Sequence, residues 1–227
     1  MWRDRTVTRL LQAGAGSSGD TDVIFLTGMD QDHLGVEVEA AFQPIDMFRL
    51  DAAISYGMWD YTGDSEGTYK DISTQTSEDY LYAIDGLKIG DMPQTIVALG
   101  ASVFPIDGMN IQAVFNYYDR HWADWDPISR QVDEGDEPDR EESWQVPSAY
   151  KIDLHATYNL PVDFNGIKFQ LFAHLFNVLD EVYVQDATDN SSYNAYTANG
   201  VDHTADDAEV YLSTPRYFNA GISVLLP

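Results

Sequence analysis

Residues 150–176 read YKIDLHATYNLPVDFNGIKFQLFAHLF, and this stretch decides the fold. Every second side chain over residues 150–160 is apolar, and the positions between them are polar. After a turn at residues 161–166, the alternation resumes over residues 167–175. Strict period-two alternation on both sides of a tight turn predicts a β-hairpin with one apolar face. The first strand of this hairpin has about the length that a tilted strand needs to cross a bilayer, roughly 9–11 residues.

The same alternation recurs along the rest of the chain. Extended segments are predicted at 2–11, 21–26 continued by 36–43, 48–61, 95–104, 110–122, 150–160, 167–175 and 214–226, and those from 36 onward have one apolar face. Such a succession of alternating segments indicates an all-β fold with antiparallel strands. We count about eight strands in this arrangement.

The connections between these strands differ in length by a regular rule. Those near 44–47, 105–109 and 161–166 are short, whereas those near 12–21, 62–93, 123–149 and 180–213 are long and mostly acidic. Strict alternation of short and long connections is typical of an up-and-down transmembrane β-barrel with short periplasmic turns and long outer loops. We therefore predict one segment of a larger barrel of this kind. An extended segment at 80–89 inside the second long loop is also predicted to continue a strand beyond the membrane.

Aromatic side chains cluster at the long-loop ends of the strands, as in an interfacial girdle. The residues assigned to this girdle are Trp2, Trp59, Tyr61, Tyr117, Tyr118, Trp122 and Trp125. If one face of the sheet is meant for lipid, Phe48, Leu154 and Ile222 must not pack against helices or a second sheet.

Composition excludes several classes of function. The net charge is -26, which argues against a nucleic-acid partner because phosphate contacts require a Lys/Arg surface. The chain has no cysteine, so disulfide scaffolds, thiolate metal sites and cysteine nucleophiles are excluded. Residues 1–5 lack the apolar core of a secretion signal, so we expect either a cytoplasmic protein or a chain whose front part is missing.

Four short motifs carry a family resemblance. Asn177-Val178-Leu179-Asp180 followed by Tyr183 is similar to an N-L-F-D-x-x-Y element, and Pro215-Arg216-Tyr217-Phe218 followed by Gly221 is similar to a closing P-R-x-x-x-x-G strand. Residues 35–39 resemble a G-x-E-x-E strand, and the I-D-L motif Ile152-Asp153-Leu154 before the hairpin resembles part of a Y-x-x-x-D-L-x-x-x-Y strand. In order and spacing these motifs resemble the C-terminal part of the β-barrel of TonB-dependent outer-membrane receptors, over nearly the whole chain.

The resemblance implies a location, a function and partners. Residues 1–227 would be the C-terminal portion of the barrel, with the plug domain and the earlier strands absent, and would sit in the outer membrane of a Gram-negative bacterium. The receptor would take up a scarce solute such as a metal chelate, a corrinoid or an oligosaccharide, energised by the TonB complex. One departure concerns the end Leu225-Leu226-Pro227, where the family has an aromatic residue. A barrel of this type has about twenty-two strands, so about eight should not close and function alone.

Candidate site residues are few. The polar faces carry Glu37, Glu39, Arg49, Asp51, Lys151, Asp153, His155 and Lys168. We expect them to form a hydrated wall with cross-strand ion pairs. Among five scattered histidines, only His203 has metal-like neighbours, which are Asp202, Asp206 and Asp207; residues 186–190 are a similar acidic run. Neither run has EF-hand spacing, so we assign no metal site and no cofactor.

No nucleophile elbow, phosphate-binding glycine loop or metalloprotease helix is present in the sequence, so we predict that the protein is not an enzyme. Two other classes remain open. A passive outer-membrane porin or structural barrel would share the strand pattern but need no plug. A soluble β-sandwich binding module would stay monomeric in buffer without detergent.

Overall fold

The computed structural model describes residues 2–15, 21–71, 74–135, 137–190 and 202–226. In this part of the chain it contains the helical turn α1 (Pro127–Arg130) and the strands β1 (Trp2–Ala15), β2 (Thr21–Ile45), β3 (Phe48–Tyr61), β4 (Ser65–Lys70), β5 (Ser77–Tyr82), β6 (Thr95–Val103), β7 (Met109–Asp119), β8 (His121–Trp122), β9 (Asp124–Trp125), β10 (Gln131–Val132), β11 (Gln145–Val146), β12 (Ala149–Phe164), β13 (Ile167–Phe176), β14 (Val184–Asp189), β15 (Glu209–Leu212) and β16 (Tyr217–Leu225). The protein is therefore all-β, as predicted.

Eight long strands form one meander. They are β1, β2, β3, β6, β7, β12, β13 and β16, and each pairs antiparallel with the next. The antiparallel up-and-down order expected from the alternation is confirmed. The sheet is open. In the described part of the chain, no strand pairs with the outer edge of β16. On the other side, β1 pairs with β2 only as far as Leu34, and no strand covers the same edge of β2 after that residue.

The register places the apolar side chains of neighbouring strands side by side. One row runs across seven strands, from Phe42 through Leu50, Ala101, Ala113, Leu154 and Leu175 to Phe218. We call this side of the sheet the apolar face and the opposite side the polar face. Leu154 is 38% exposed and Ile222 is 63% exposed. Neither they nor the half-buried Phe48 belong to the buried clusters of the described residues.

The central hairpin turns later than predicted. β12 continues to Phe164, and the turn consists of Asn165 and Gly166, whose φ angles are 53° and 88°. Positive φ at both central residues is the geometry of a type I′ hairpin turn, which Asn-Gly favours. The pairing slips between Asn159 and Asp163, around Pro161. Proline cannot donate a hydrogen bond to the ladder, so it is accommodated in an irregularity of this kind.

The long loops contain more strand than predicted. β4 and β5 form a hairpin, and β4 pairs with the outer end of β2, so the strand structure lies at 65–82 rather than at 80–89. β2 is continuous where two extended pieces were predicted. Of the predicted first loop at 12–21, residues 16–20 lie outside the described residues.

The buried core lies at the long-loop end. We call this region the loop cap and define it as the described residues within 23–31, 61–94, 120–148 and 180–213. Its main cluster consists of Ile24, Leu26, Met29, Tyr61, Tyr82, Ile84, Leu87 and Trp125, and a smaller cluster consists of Ala123, Val146 and Ala187. No helix among the described residues is long and apolar enough to cross a bilayer.

The predicted aromatic girdle is wrong for three of its members. Tyr61, Trp122 and Trp125 are only 4, 8 and 1% exposed, because they pack inside the loop cap. The rings of Tyr61 and Trp125 meet edge to face at 6.2 Å. Tyr56 and Tyr150 are instead exposed on the apolar face. The side chain of Trp2 lies outside the described part of the structure.

Candidate functional site

Three of the four motifs that carry the family resemblance meet where β13 ends. Asn177 follows β13 with a φ of 50°, a left-handed conformation that Asn tolerates better than most residues. Its backbone N–H donates to Oδ1 of Asp153 on β12 at 2.8 Å. Val178 N–H donates to the carbonyl of Ile152 at 2.8 Å. The first part of the N-V-L-D motif is therefore fixed onto the strand that carries the I-D-L motif.

The Asn177 side chain ties this turn to the start of β16. Its Nδ2 donates to the carbonyls of Glu181 at 2.8 Å and Thr214 at 3.1 Å, and its Oδ1 accepts from Glu181 N–H at 3.1 Å. Arg216 N–H donates to Oδ1 of Asp180 at 2.8 Å. Three of the four motifs thus form one hydrogen-bonded junction. We call it the motif junction and define it by Asp153, Asn177, Asp180 and Arg216.

All eight residues assigned to the hydrated wall, seven charged residues and His155, lie on the polar face by strand register. Their ion pairing differs from the expectation. Arg49 pairs with Asp51 at 2.6 Å and Lys151 pairs with Asp153 at 3.1 Å, so each pair joins residues of one strand rather than of two. Residues two apart in a strand share a face, which brings these long side chains within reach of the next carboxylate. Lys168 lies opposite Asp163 in the register.

The structure brings together two histidines that looked scattered in the sequence. His155 on β12 lies opposite His174 on β13, and their Nδ1 atoms are 2.9 Å apart. The turn at residues 165–166 alone would pair His155 with Phe176. The slip around Pro161 moves the register by two residues and places His174 there instead. An alternating pattern does not contain this information, because a shift by two leaves both faces unchanged.

His203 lies in a different setting from the one predicted. Its neighbours are not Asp202, Asp206 and Asp207 but residues from distant parts of the loop cap. Nε2 of His203 contacts Asp139 Oδ2 at 2.9 Å, and Nδ1 contacts Asp189 Oδ2. Asp207 instead accepts a hydrogen bond from Thr204 at 2.9 Å. Asp189, from the acidic run at 186–190, is 0% exposed.

Arg130 completes this cluster. Its side chain is fully buried, with Nη1 at 3.3 Å from Asp139 Oδ1 and Nη2 at 3.6 Å from Asp189 Oδ2. Nε2 of His203 faces Asp139 alone, whereas Nδ1 lies beside Asp189 Oδ2, Arg130 Nη2 at 3.2 Å and Asn190 Nδ2 at 2.8 Å. Arg130 and His203 thus both contact the carboxylates of Asp139 and Asp189. No group of three or more metal-binding side chains occurs among residues that the structure describes.

The environment of His203 changes its titration. Burial lowers its pKa, but the hydrogen bonds to Asp189 and Asp139 outweigh burial and the nearby Arg130, so the pKa is raised above 6.5. For the Glu142 carboxyl, burial has the opposite effect and raises the pKa. Glu142 lies with Glu141 and Asp202 around an open pocket beside His203. The surface around this pocket is thus acidic and lies next to the cluster of Arg130, His203 and Asp189.

Sequence reasoning missed Arg130, Asp139 and His174. The only hint for Arg130 is that it is one of two basic residues in the acidic stretch 123–149. The sequence does not tell the buried Arg130 from the exposed Arg140, because both lie among the same acidic residues.

Comparisons with known proteins add no relative: no family model, no curated protein and no solved structure matches the chain. Function must therefore be inferred from the residues of the chain and their geometry.

Proposed function

We propose that this chain forms part of the wall of a TonB-dependent receptor in the outer membrane of a Gram-negative bacterium. The observation that carries the proposal is the apolar face. Phe42, Ile222 and Phe218 are 63, 63 and 80% exposed, and they belong to a face that extends over seven consecutive strands. A soluble monomer rarely exposes a continuous apolar patch beyond roughly 300–600 Å².

Strand length favours lipid as the partner of this face. β6, β7, β13 and β16 contain 9, 11, 10 and 9 residues. A tilted strand crosses a bilayer with about 9–11 residues. A second sheet would be the other way to cover the face, but the remaining strands of the described chain pack at the long-loop end instead. This weakens the alternative of a soluble β-sandwich.

The motif junction supports the family assignment. Three of the four motifs lie at the same end of β12, β13 and β16, which are consecutive strands of the sheet. Asp153, Asn177 and the segment from Thr214 to Arg216 meet in one network. In the proposed receptor this junction holds β16 beside β13 while the chain between them leaves the membrane as a long loop.

The two open edges of the sheet agree with a segment of a larger barrel. Lipid does not tolerate unpaired strand edges, so further strands must complete the wall. The plug domain and the TonB complex would act from other parts of the receptor. The acidic loop cap would line the outer vestibule for a scarce solute such as a metal chelate, a corrinoid or an oligosaccharide. We propose no catalytic role and no nucleic-acid partner.

Uptake measurements test the transport function. Cells producing the full receptor should accumulate the solute only while the proton-motive force is intact, and a protonophore should abolish uptake. Deleting residues 123–149 or 180–213 should weaken solute binding, whereas shortening the turn at 105–109 serves as a control on the other side of the membrane. Uptake that survives the protonophore, together with stable open channels in planar bilayers, would instead indicate a passive porin.

A further inference from the structure

The two histidines that face each other across β12 and β13 form a preorganised pair. Their Nδ1 atoms are 2.9 Å apart, and their ring centroids are 5.0 Å apart with the rings at 63°. Both side chains are partly exposed to solvent on the polar face. Only one proton fits between two nitrogens at this distance. One Nδ1 therefore carries a hydrogen and the other presents a lone pair.

This separation suits two neighbouring ligands of one metal ion. Imidazole nitrogens bind first-row divalent ions at about 2.0–2.1 Å. Two such bonds with their nitrogens 2.9 Å apart enclose an angle of roughly 90° at the metal. Tetrahedral zinc sites need a wider angle. Angles near 90° belong to the tetragonal geometry that Cu²⁺ and Ni²⁺ prefer.

The surroundings hold the rings in place. The Phe172 ring stacks on His174 at 5.5 Å, and Phe176 meets His155 edge to face at 5.5 Å. Phe172 in turn lies over Gly221, where a Cβ atom would come within 2.6 Å of the ring. A larger residue at position 221 would displace Phe172 and free the imidazole that it supports.

The same register offers further oxygen and nitrogen donors. Gln112 lies opposite His155 on β7, and Asn219 lies opposite His174 on β16. The nearest charged groups on β12, Lys151 and Asp153, pair with each other at 3.1 Å. An incoming dication therefore meets no unbalanced positive charge on this strand.

We propose that His155 and His174 form a two-imidazole site for Cu²⁺ or Ni²⁺, either as the free ion or as a chelate with two adjacent open positions. On binding, each Nδ1 donates its lone pair to the metal. The imidazole that carried its hydrogen on Nδ1 releases this proton to solvent and takes one up at Nε2, so both ligands are neutral Nε2–H imidazoles. This inference goes beyond the proposed function, because it requires only the β12–β13 pairing and not any particular transported solute.

Binding by the full chain, refolded in detergent with its strand content verified by circular dichroism, tests the site. We expect one Cu²⁺ equivalent whose electron paramagnetic resonance spectrum shows two equatorial imidazole nitrogens. His155→Asn and His174→Asn should each weaken Cu²⁺ affinity by at least about tenfold, equivalent to roughly 1.4 kcal/mol. His33→Asn, which changes another histidine on the polar face, should leave the affinity unchanged. Equal affinity in the double variant and the wild type would overturn the proposal.

A second measurement needs no variant. Copper and ascorbate oxidise the histidines that hold the metal, and mass spectrometry locates the products. Oxidation should concentrate at His155 and His174; confinement to His33, His121 or His203 would contradict the site. Ni²⁺–nitrilotriacetate, which leaves two adjacent positions open, distinguishes the two sources of the ion. If the complex binds as tightly as Ni²⁺ alone, the site accepts a chelate, and if only Ni²⁺ binds, it takes the free ion.

Discussion

The loop cap and the eight-stranded sheet treat apolar side chains in opposite ways, and β2 passes through both. In its outer part, Ile24 and Leu26 are 1 and 0% exposed inside the loop cap. Further along, Val36 and Val38 are 58 and 56% exposed on the apolar face. The chain can therefore build a conventional buried core where its loops supply one. The exposed apolar face is therefore specific to the sheet, because apolar side chains of the same strand are buried in the loop cap.

A bulge separates the two parts of β2. Gly28 has a φ of 70°, a left-handed conformation typical of glycine at a β-bulge. The pairing with β1 slips between Leu26 and Met29. One extra residue reverses which side chains face inward. Even-numbered Ile24 and Leu26 then point to the same side as odd-numbered Met29 and Gln31, which are also buried.

The largest expected effect lies inside the loop cap. Arg130→Met leaves Asp189 buried with one cation fewer, and breaking a buried ion pair costs about 3–5 kcal/mol. We expect this loss in the unfolding of the loop cap, followed by tryptophan fluorescence. Arg140→Met is the matched control, because Arg140 pairs with Asp64 at 2.7 Å but its side chain is 43% exposed. An exposed pair contributes at most about 1 kcal/mol. Equal losses in the two variants would show that the cluster is not buried.

The next effect lies on the apolar face. Leu154→Arg should destabilise the protein in lipid by about 2–4 kcal/mol, the cost of arginine facing lipid at the bilayer midplane. Thr157→Arg is the control, because Thr157 lies on the polar face of the same strand. Refolding into vesicles at increasing urea measures both. The lipid assignment fails if Thr157→Arg costs as much as Leu154→Arg.

The sequence predicted the sheet well and the loop cap poorly, for a physical reason. A strand with two different faces has a local period, so residues 150–160 reveal their faces without any partner. The loop cap depends on contacts between distant residues, such as Arg130 and His203, which are separated by 73 positions. The His155–His174 pair lies between these cases, because its faces follow from alternation but its register depends on the slip at Pro161.

A smaller effect is expected at the motif junction. Asn177→Ala leaves the Thr214 carbonyl and the Glu181 N–H without their partner and places alanine at a φ of 50°. Unsatisfied groups of this kind cost about 1–3 kcal/mol. Asn159→Ala removes an exposed hydrogen bond from Gln170 on the same hairpin and should cost less than about 1 kcal/mol. Urea midpoints of the two variants compare the two losses directly. A smaller loss for Asn177→Ala than for Asn159→Ala would contradict a stabilising role of the motif junction.

The smallest effect is a pH dependence confined to the loop cap. The folded-state pKa of His203 is raised, so its protonated form stabilises the folded state. That contribution is fully present below the unfolded pKa of about 6.5 and is lost as pH rises through the higher folded pKa. Hydrogen exchange in the loop cap should therefore accelerate above neutral pH more than hydroxide catalysis alone predicts. His203→Gln should abolish the excess, and an excess that persists in this variant would assign it to another group.

Lipid access to alternate residues of one strand tests the central claim most directly. The chain has no cysteine, so single cysteines can be introduced at Leu171 and Gln170 on β13 and at Ile222 and Ser223 on β16, and labelled with a fluorophore. In vesicles, spin-labelled lipid should quench the probes at Leu171 and Ile222, and aqueous iodide should quench those at Gln170 and Ser223. Equal quenching of neighbouring positions by iodide would contradict a sheet with one side in lipid.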